Sequence, residues 1–239
     1  MDTRGILDML DLTLLSKDST EEEIEEICNL ANLFQTASIC IFPEQAALAS
    51  KKLDRGISLG VVAGGFPIGS TSPEDIFREI SEAASPGVHE IDCVLEPTPS
   101  TDYPGEGELA RLIAMREASR GLVLKVILEA PLLDERQLRS VTRMALSVGV
   151  DFVKSCTGKR GNCTEEDARI LAEEVGRHCL SFRGRPGVKL SGGIRTIGDA
   201  ERMVGVVLEQ DGSISGKGRL RIGSSSLINN LPDGGLGRN

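Results

Sequence analysis

Eight short apolar runs, each followed by a turn or a helix-start signal, constrain the fold of this sequence more than any other feature. They lie at 6–15, 37–42, 57–63, 88–95, 122–128, 150–159, 187–191 and 220–223. Several are nearly continuous in Val, Ile and Leu, the pattern of strands buried on both faces of a parallel sheet. Helix starts fall between them. Ser19-Thr20 precedes Glu21, Glu22 and Glu23, an N-cap with acids in the first turn, and Ile24, Ile27, Cys28, Leu30 and Ala31 then recur at helical spacing. Pro43 suits the first position of a helix continuing over 44–53, Ser72-Pro73-Glu74 opens another, 134–147 reads as a third, and Thr164-Glu165-Glu166-Asp167 caps a fourth. Strands alternating with helices predict an α/β chain whose eight units close into a single (β/α)8 TIM barrel over 1–239. The glycine- and serine-rich stretch 209–219 reads as a flexible loop before the last strand, and 231–239 as a frayed tail.

Charges inside the strand runs need a reason. Asp92, Lys125, Lys154 and Lys189 each sit in the interior of such a run. Barrel interiors are packed mainly with branched apolar side chains, so inward charges must group or remain unpaired at a cost of several kcal/mol. Lys154, at the end of the run F-V-K, admits two readings. Its ammonium can snorkel toward water or a carboxylate, or it can be an amine nucleophile whose pKa is lowered by burial and a neighbouring cation. One acid with three lysines predicts excess positive charge and at least one depressed lysine. The alternative is a buried salt-bridge cluster that only fixes strand register. The exits of the last two runs, Gly192-Gly193 and Gly223-Ser224-Ser225-Ser226, lie where (β/α)8 barrels commonly hold phosphate on backbone N–H groups. Lys159 and Arg195 can add charge to the same anion.

A formal net charge of -9 over 239 residues argues against a chain-wide nucleic-acid surface, so any phosphate site must be local. The first fifteen residues interleave Asp2, Arg4, Asp8 and Asp11 with apolar positions, which fits neither a signal peptide nor a membrane span, and a cytoplasmic location is expected. Six cysteines without a C-x-x-C pair and only two histidines, His89 and His178, give no basis for a zinc site or a disulfide framework.

The segments F-V-K-S-C-T-G-K, G-V-K-L-S-G-G-I-R, E-I-D-C-V-L, L-K-V-I-L-E and S-I-C-I-F-P together resemble deoxyribose-phosphate aldolase, a class I aldolase, over about 10–227. The resemblance implies reversible, cofactor-free cleavage of 2-deoxy-D-ribose 5-phosphate to D-glyceraldehyde 3-phosphate and acetaldehyde. It implies Lys154 as the Schiff-base lysine, Lys189 as the group that perturbs its pKa and Asp92 as the proton carrier through a water. Asp11 and Lys125 are implied as support, and Gly158, Lys159, Gly192, Gly193, Arg195, Gly223, Ser225 and Ser226 as the phosphate site. Cys40 matches a family cysteine and is assigned no catalytic role. The resemblance also suggests a homodimer or larger assembly.

Two departures bear on efficiency. Many members read N-F-P-x-G where this chain has Gly65-Phe66-Pro67-Ile68-Gly69, and some end in a tyrosine, whereas the only tyrosine here is Tyr103. Rival readings are a class I aldolase for another phosphorylated sugar and a non-catalytic barrel that binds sugar phosphates or a protein partner. A metal-dependent aldolase is the weakest rival, for want of a histidine cluster.

Overall fold

The apolar runs become strands because their outward side chains have helices to pack on. The computed structural model describes residues 2–100, 102–182 and 184–231. Its strands are β1 (Leu10–Thr13), β2 (Ser38–Ile41), β3 (Ser58–Ala63), β4 (Glu90–Val94), β5 (Val123–Ile127), β6 (Phe152–Lys154), β7 (Gly187–Ser191) and β8 (Leu220–Ser224). They pair in sequence order, all parallel, and β8 returns to β1 to close the barrel. The helices are α1 (Thr3–Leu7), α2 (Glu21–Phe34), α3 (Ala46–Ala49), α4 (Pro73–Ala83), α5 (Glu106–Ala118), α6 (Glu135–Val148), α7 (Glu165–Ser181) and α8 (Ile197–Gln210). The expected single (β/α)8 barrel is therefore the observed architecture. Among the described residues no helix is long and apolar enough to cross a membrane.

Period-two alternation divides the strand residues. Ile39, Leu59, Val61, Ile91, Cys93, Leu124, Val126, Val153, Val188, Leu190 and Ile222 belong to the main apolar core with helix residues such as Ile24, Ile76, Ile80, Leu112, Val141, Leu171 and Val204. Alternate residues form a different set: Cys40, Val62, Val94 and Ile127, with Phe42 and Phe66, make a small apolar cluster, and buried charges take the remaining places.

Local capping starts the helices. Thr20, Asp134, Thr164 and Thr196 each accept a hydrogen bond from the backbone N–H three residues on, and Glu23, Gln137, Asp167 and Asp199 return it. Ser72 accepts from Asp75 N–H ahead of Pro73.

Several boundaries differ from the sequence reading. The run 6–15 is not one strand: Asp2 caps α1 through Gly5 N–H, Ile6 and Leu7 are buried, and β1 covers only Leu10–Thr13. The helix expected over 44–53 is a 3-10 turn at Pro43–Gln45 followed by α3 alone. The Asn32 side chain binds the turn after it, donating to Lys52 O and accepting from Asp54 N–H, both at 2.9 Å. Helix α5 was not anticipated, because the buried Glu108–Arg111 ion pair interrupts the apolar pattern of its inner face, where Leu112 and Met115 are also buried.

Residues 209 and 210 complete α8, and the turn that follows is fastened at two points. Ile214 is fully buried, and the Arg219 guanidinium donates to Pro186 O and Ser213 O. The tail expected at 231–239 lies, beyond Leu231, outside the described residues.

The close approach of β6, β7 and β8 leaves no room at Gly187, where a Cβ would lie 2.3 Å from Arg219 O and 2.5 Å from Phe152 Cε1. Gly187→Ala is expected to cost about 1–3 kcal/mol by overpacking. The thermal midpoint should fall by about 2–4 °C per kcal/mol in a circular dichroism melt; an unchanged midpoint would contradict the packing described here.

Candidate active site

Strand register places the buried charges. Glu90 and Asp92 are two residues apart on β4 and share a face, and Asp92 pairs in register with Lys125 on β5. Lys154 on β6 pairs with Lys189 on β7, and Lys189 with Arg221 on β8. Asp11 enters from β1, opposite Gly223. All seven side chains are buried.

Asp92 Oδ2 accepts hydrogen bonds from Lys154 Nζ and Lys189 Nζ, both at 2.7 Å. Lys125 Nζ lies 3.4 Å from Asp92 Oδ1 and 2.6 Å from Asp11 Oδ2, and also contacts Glu90 Oε2. Lys189 Nζ reaches Asp11 Oδ2 as well, at 2.7 Å. Arg221 closes the group beneath, donating to Asp11 Oδ1 and, at 2.9 Å, to Glu90 Oε1.

Three carboxylates thus meet four cations, where the strand-interior count had offered one acid and three lysines. This corrects the expected electrostatics. Burial would lower Lys189, but Asp11 and Asp92 outweigh it and hold its pKa above the ordinary lysine value. Lys125 is likewise desolvated, yet Asp11, Asp92 and Glu90 hold it well above that value. Burial pushes Asp92 up, and Lys125, Lys154 and Lys189 together bring it far below the usual carboxylate range. Asp11 follows the same pattern through Lys125, Lys189 and Arg221. Burial and then the Asp92 charge push the Cys40 thiol up to about 11, consistent with the absence of a catalytic assignment.

Above the cluster lies a cavity of about 240 Å3. All eight residues expected at a phosphate site line it: Gly158, Lys159, Gly192, Gly193, Arg195, Gly223, Ser225 and Ser226. Lys154 lines it too, whereas Lys125 and Lys189 do not. The loop glycine Gly192 has φ +90, and a Cβ there would lie 2.5 Å from Cys156 Sγ, so the chain can turn this tightly over β6 only with glycine. Ser224 Oγ accepts from Ser226 N–H and Leu227 N–H and shapes the last loop.

Sequence reasoning missed Glu90 and Arg221 in the cluster and Thr13, Asn162 and Ser224 in the cavity wall. Period two from Asp92 points to Glu90, and position 221, inside the eighth run, carries the Arg221 charge. Thr13 and Asn162 carry no comparable signal. Among the described residues no three or more His, Cys, Asp and Glu side chains gather as a metal site.

The shifts fix how stability should vary with pH. Asp11 and Asp92 are depressed, so their contribution is complete above about pH 5 and is lost as pH falls below about 4. Lys125 and Lys189 are elevated, so theirs is complete below about pH 10 and is lost as pH rises through the folded values. Denaturant midpoints are expected to hold level between these limits and to drop below about pH 4, with Asp92→Asn flattening the acid limb. An acid limb identical in the two proteins would rule out the linkage.

Comparison with known proteins agrees with the barrel. The profile of the DeoC/LacD family aldolases matches residues 6–229. The deoxyribose-phosphate aldolase of Halalkalibacterium halodurans is 34% identical over 217 residues, covering 90% of this chain and 94% of that protein. The enzyme of the same name from Exiguobacterium sibiricum is 33% identical over 213 residues, covering 87% and 92%. The tetrameric deoxyribose phosphate aldolase structure from Aeropyrum pernix superposes with a TM-score of 0.75 at 29% identity, covering 94% of this chain and 88% of that one. With the family profile spanning nearly all of the barrel, the chain belongs to the DeoC/LacD family of aldolases.

Proposed function

We propose that the protein is a class I aldolase that reversibly cleaves 2-deoxy-D-ribose 5-phosphate to D-glyceraldehyde 3-phosphate and acetaldehyde through an imine on Lys154. One observation carries the assignment of the amine: of the cluster's three lysines, Lys154 alone lines the cavity. Lys125 and Lys189 are fully buried. The substrate is proposed from the names of the relatives and from the chemistry of the cavity wall.

The Lys154 amine attacks C1 of the open-chain aldehyde, and loss of water leaves a protonated imine. The C3 hydroxyl then gives up its proton, the C2–C3 bond breaks, and its electrons move into the imine to form an enamine. Glyceraldehyde 3-phosphate departs. Protonation of the enamine at C2 and hydrolysis of the imine release acetaldehyde and restore the amine.

The cluster supplies what these steps need. Lys154 must shed a proton before it attacks, and Asp92 Oδ2, 2.7 Å from its Nζ, accepts the hydrogen bond that holds the amine in place. Lys189 shares that oxygen and is held cationic by Asp11 and Asp92. Ionised Asp92 and cationic Lys189 then form the pair that would orient a water through which protons are relayed. Asp11, Lys125, Glu90 and Arg221 keep that pair in place from below.

The phosphate is assigned to the eight cavity residues named above, with Lys159 and Arg195 as its cations. A (β/α)8 barrel holds phosphate at the loops after strands seven and eight, where Gly192, Gly193, Gly223, Ser225 and Ser226 lie. The exposed apolar side chains Phe77, Leu109 and Ile113, on the adjacent helices α4 and α5, support a homo-oligomer. A cytoplasmic location accords with the reduced cysteines.

Incubation with 2-deoxyribose 5-phosphate and borohydride is expected to leave a reduced adduct on Lys154 alone, located by peptide mass spectrometry. Lys154→Ala should lose at least about 10³-fold in kcat with the folded state intact. An adduct elsewhere, or near-normal turnover in the variant, would end the assignment. A second phosphorylated sugar cleaved faster would move the substrate while keeping the imine.

A further inference from the structure

Glu129 is fully buried just beyond β5, beside the site but outside the charge cluster. Its backbone has φ 53 and ψ 51, the left-handed region that a side chain other than Asn, Asp or Gly seldom adopts. Such a conformation persists where the surroundings over-determine it.

The surroundings are the loop that follows Lys154. Leu128 N–H donates to Lys154 O at 3.0 Å and Ala130 N–H to Ser155 O at 2.8 Å, so the β5–β6 pairing runs past the strand ends. Between these two bonds the Glu129 side chain crosses to the loop, and its Oε1 accepts from Thr157 N–H at 2.8 Å. Its Oε2 lies 3.6 Å from Arg160 Nε, and the rest of that guanidinium forks onto Glu96 with two bonds of 2.8 Å. From the other side Ser155 Oγ donates to Ser191 O, and Ser191 Oγ to Cys156 O. Lys154 precedes this braced segment, and Gly158 and Lys159 sit inside it, next to Thr157.

We propose that Glu129 is a positioning residue that sets the Gly158–Lys159 end of the loop relative to the Lys154 amine, and thereby couples recognition of the substrate phosphate to the reacting carbon. The proposal rests on the aldolase reading of the site. Its substance is the single acceptor oxygen offered to Thr157 N–H; without it the segment keeps the Ala130–Ser155 bond and its ties to β7, but Thr157 and the Gly158–Lys159 turn beyond it lose their tie to the end of β5. The amine, fixed by β6 and Asp92, stays where it is.

Phosphorylated and unphosphorylated 2-deoxyribose separate this role from a merely structural one. Glu129→Met keeps the side-chain length and removes the acceptor. It is expected to raise KM for 2-deoxyribose 5-phosphate about tenfold or more. It should change kcat/KM for 2-deoxyribose by less than about threefold. Glu129→Gln retains an acceptor oxygen and should return to within about threefold of wild type on both substrates. Glu129→Asp, with the oxygen drawn back by one methylene, should show the same split to a smaller degree.

Calorimetric titration with inorganic phosphate reads the loop without any aldol step, and Glu129→Met is expected to bind it about tenfold more weakly. Wild-type protein that binds phosphate but cleaves neither sugar would refute the aldolase reading, while the phosphate comparison would still decide the role of Glu129. Equal losses on both substrates, a Gln variant as impaired as the Met variant, unchanged phosphate affinity, or failure of the Met variant to fold would each overturn the proposal.

Discussion

The rest of the site depends on one carboxylate oxygen, Asp92 Oδ2, which receives both Lys154 and Lys189 at 2.7 Å in the interior of the barrel. Taking an ion out of water costs several kcal/mol, and mutual attraction repays it only when geometry is good and the remaining hydrogen-bonding capacity is met. The barrel meets the geometric part of that condition by stacking: Arg221 on Asp11 and Glu90, then Lys125 and Lys189, then Lys154, while Asp92 Oδ1 has only the Lys125 ammonium at 3.4 Å and no hydrogen bond. Each ion has a partner on a different strand. Eight short strands closed in register can hold such a lattice because no strand is free to slip by one residue without turning its charges into the apolar layer beneath the helices.

The mouth above the lattice is divided. On the β2–β5 side Cys40, Phe42, Val62, Phe66, Val94 and Ile127 form a small buried apolar cluster that contributes no residue to the cavity wall. On the β6–β8 side the wall is glycine, serine and two exposed cations, Lys159 and Arg195. Lys154 lies between, paired in register with Ile127 on one side and Lys189 on the other. Lys159 and Arg195 place local positive charge at the cavity in a chain of net charge -9.

The sequence made the barrel legible because each strand is a compact apolar run and most helices announce themselves with a cap. It concealed what depends on partners distant in the chain. Asn32 binds the turn after α3, at Lys52 and Asp54, from about twenty residues upstream, and the Glu108–Arg111 pair interrupts the apolar inner face of α5. In the site, Asp92, Lys125, Lys154 and Lys189 stood out as lone charges in apolar surroundings, and the glycine loops as strand exits. Glu90 did not, because an acid two residues before another reads as the exposed edge of a strand until the partner that takes it inside, Arg221, is known. That omission propagated: counted on the strand interiors alone, without Glu90 and with Asp11 known only as a supporting residue, the cluster looked strongly cationic and a depressed lysine followed, whereas Asp11, Asp92 and Glu90 raise Lys125.

An ionic interior of this kind is a poor way to gain stability, since well-packed apolar side chains of similar volume do as well or better. Strand register does not require it either, because closure of eight strands and the alternation of apolar faces already fix the pairing. What apolar packing could not provide is a lysine that is desolvated, carboxylate-linked and open to a cavity at the same time. Lys154 has all three properties, and the remaining charges are arranged so that none of the others does. Lys189 shares its carboxylate but is sealed beneath it, and Lys159 faces the cavity but is exposed. The lattice is therefore understood as the support of one amine, and its depth reflects how many counter-charges are needed to keep Asp92 ionised and Lys189 protonated in the same small volume.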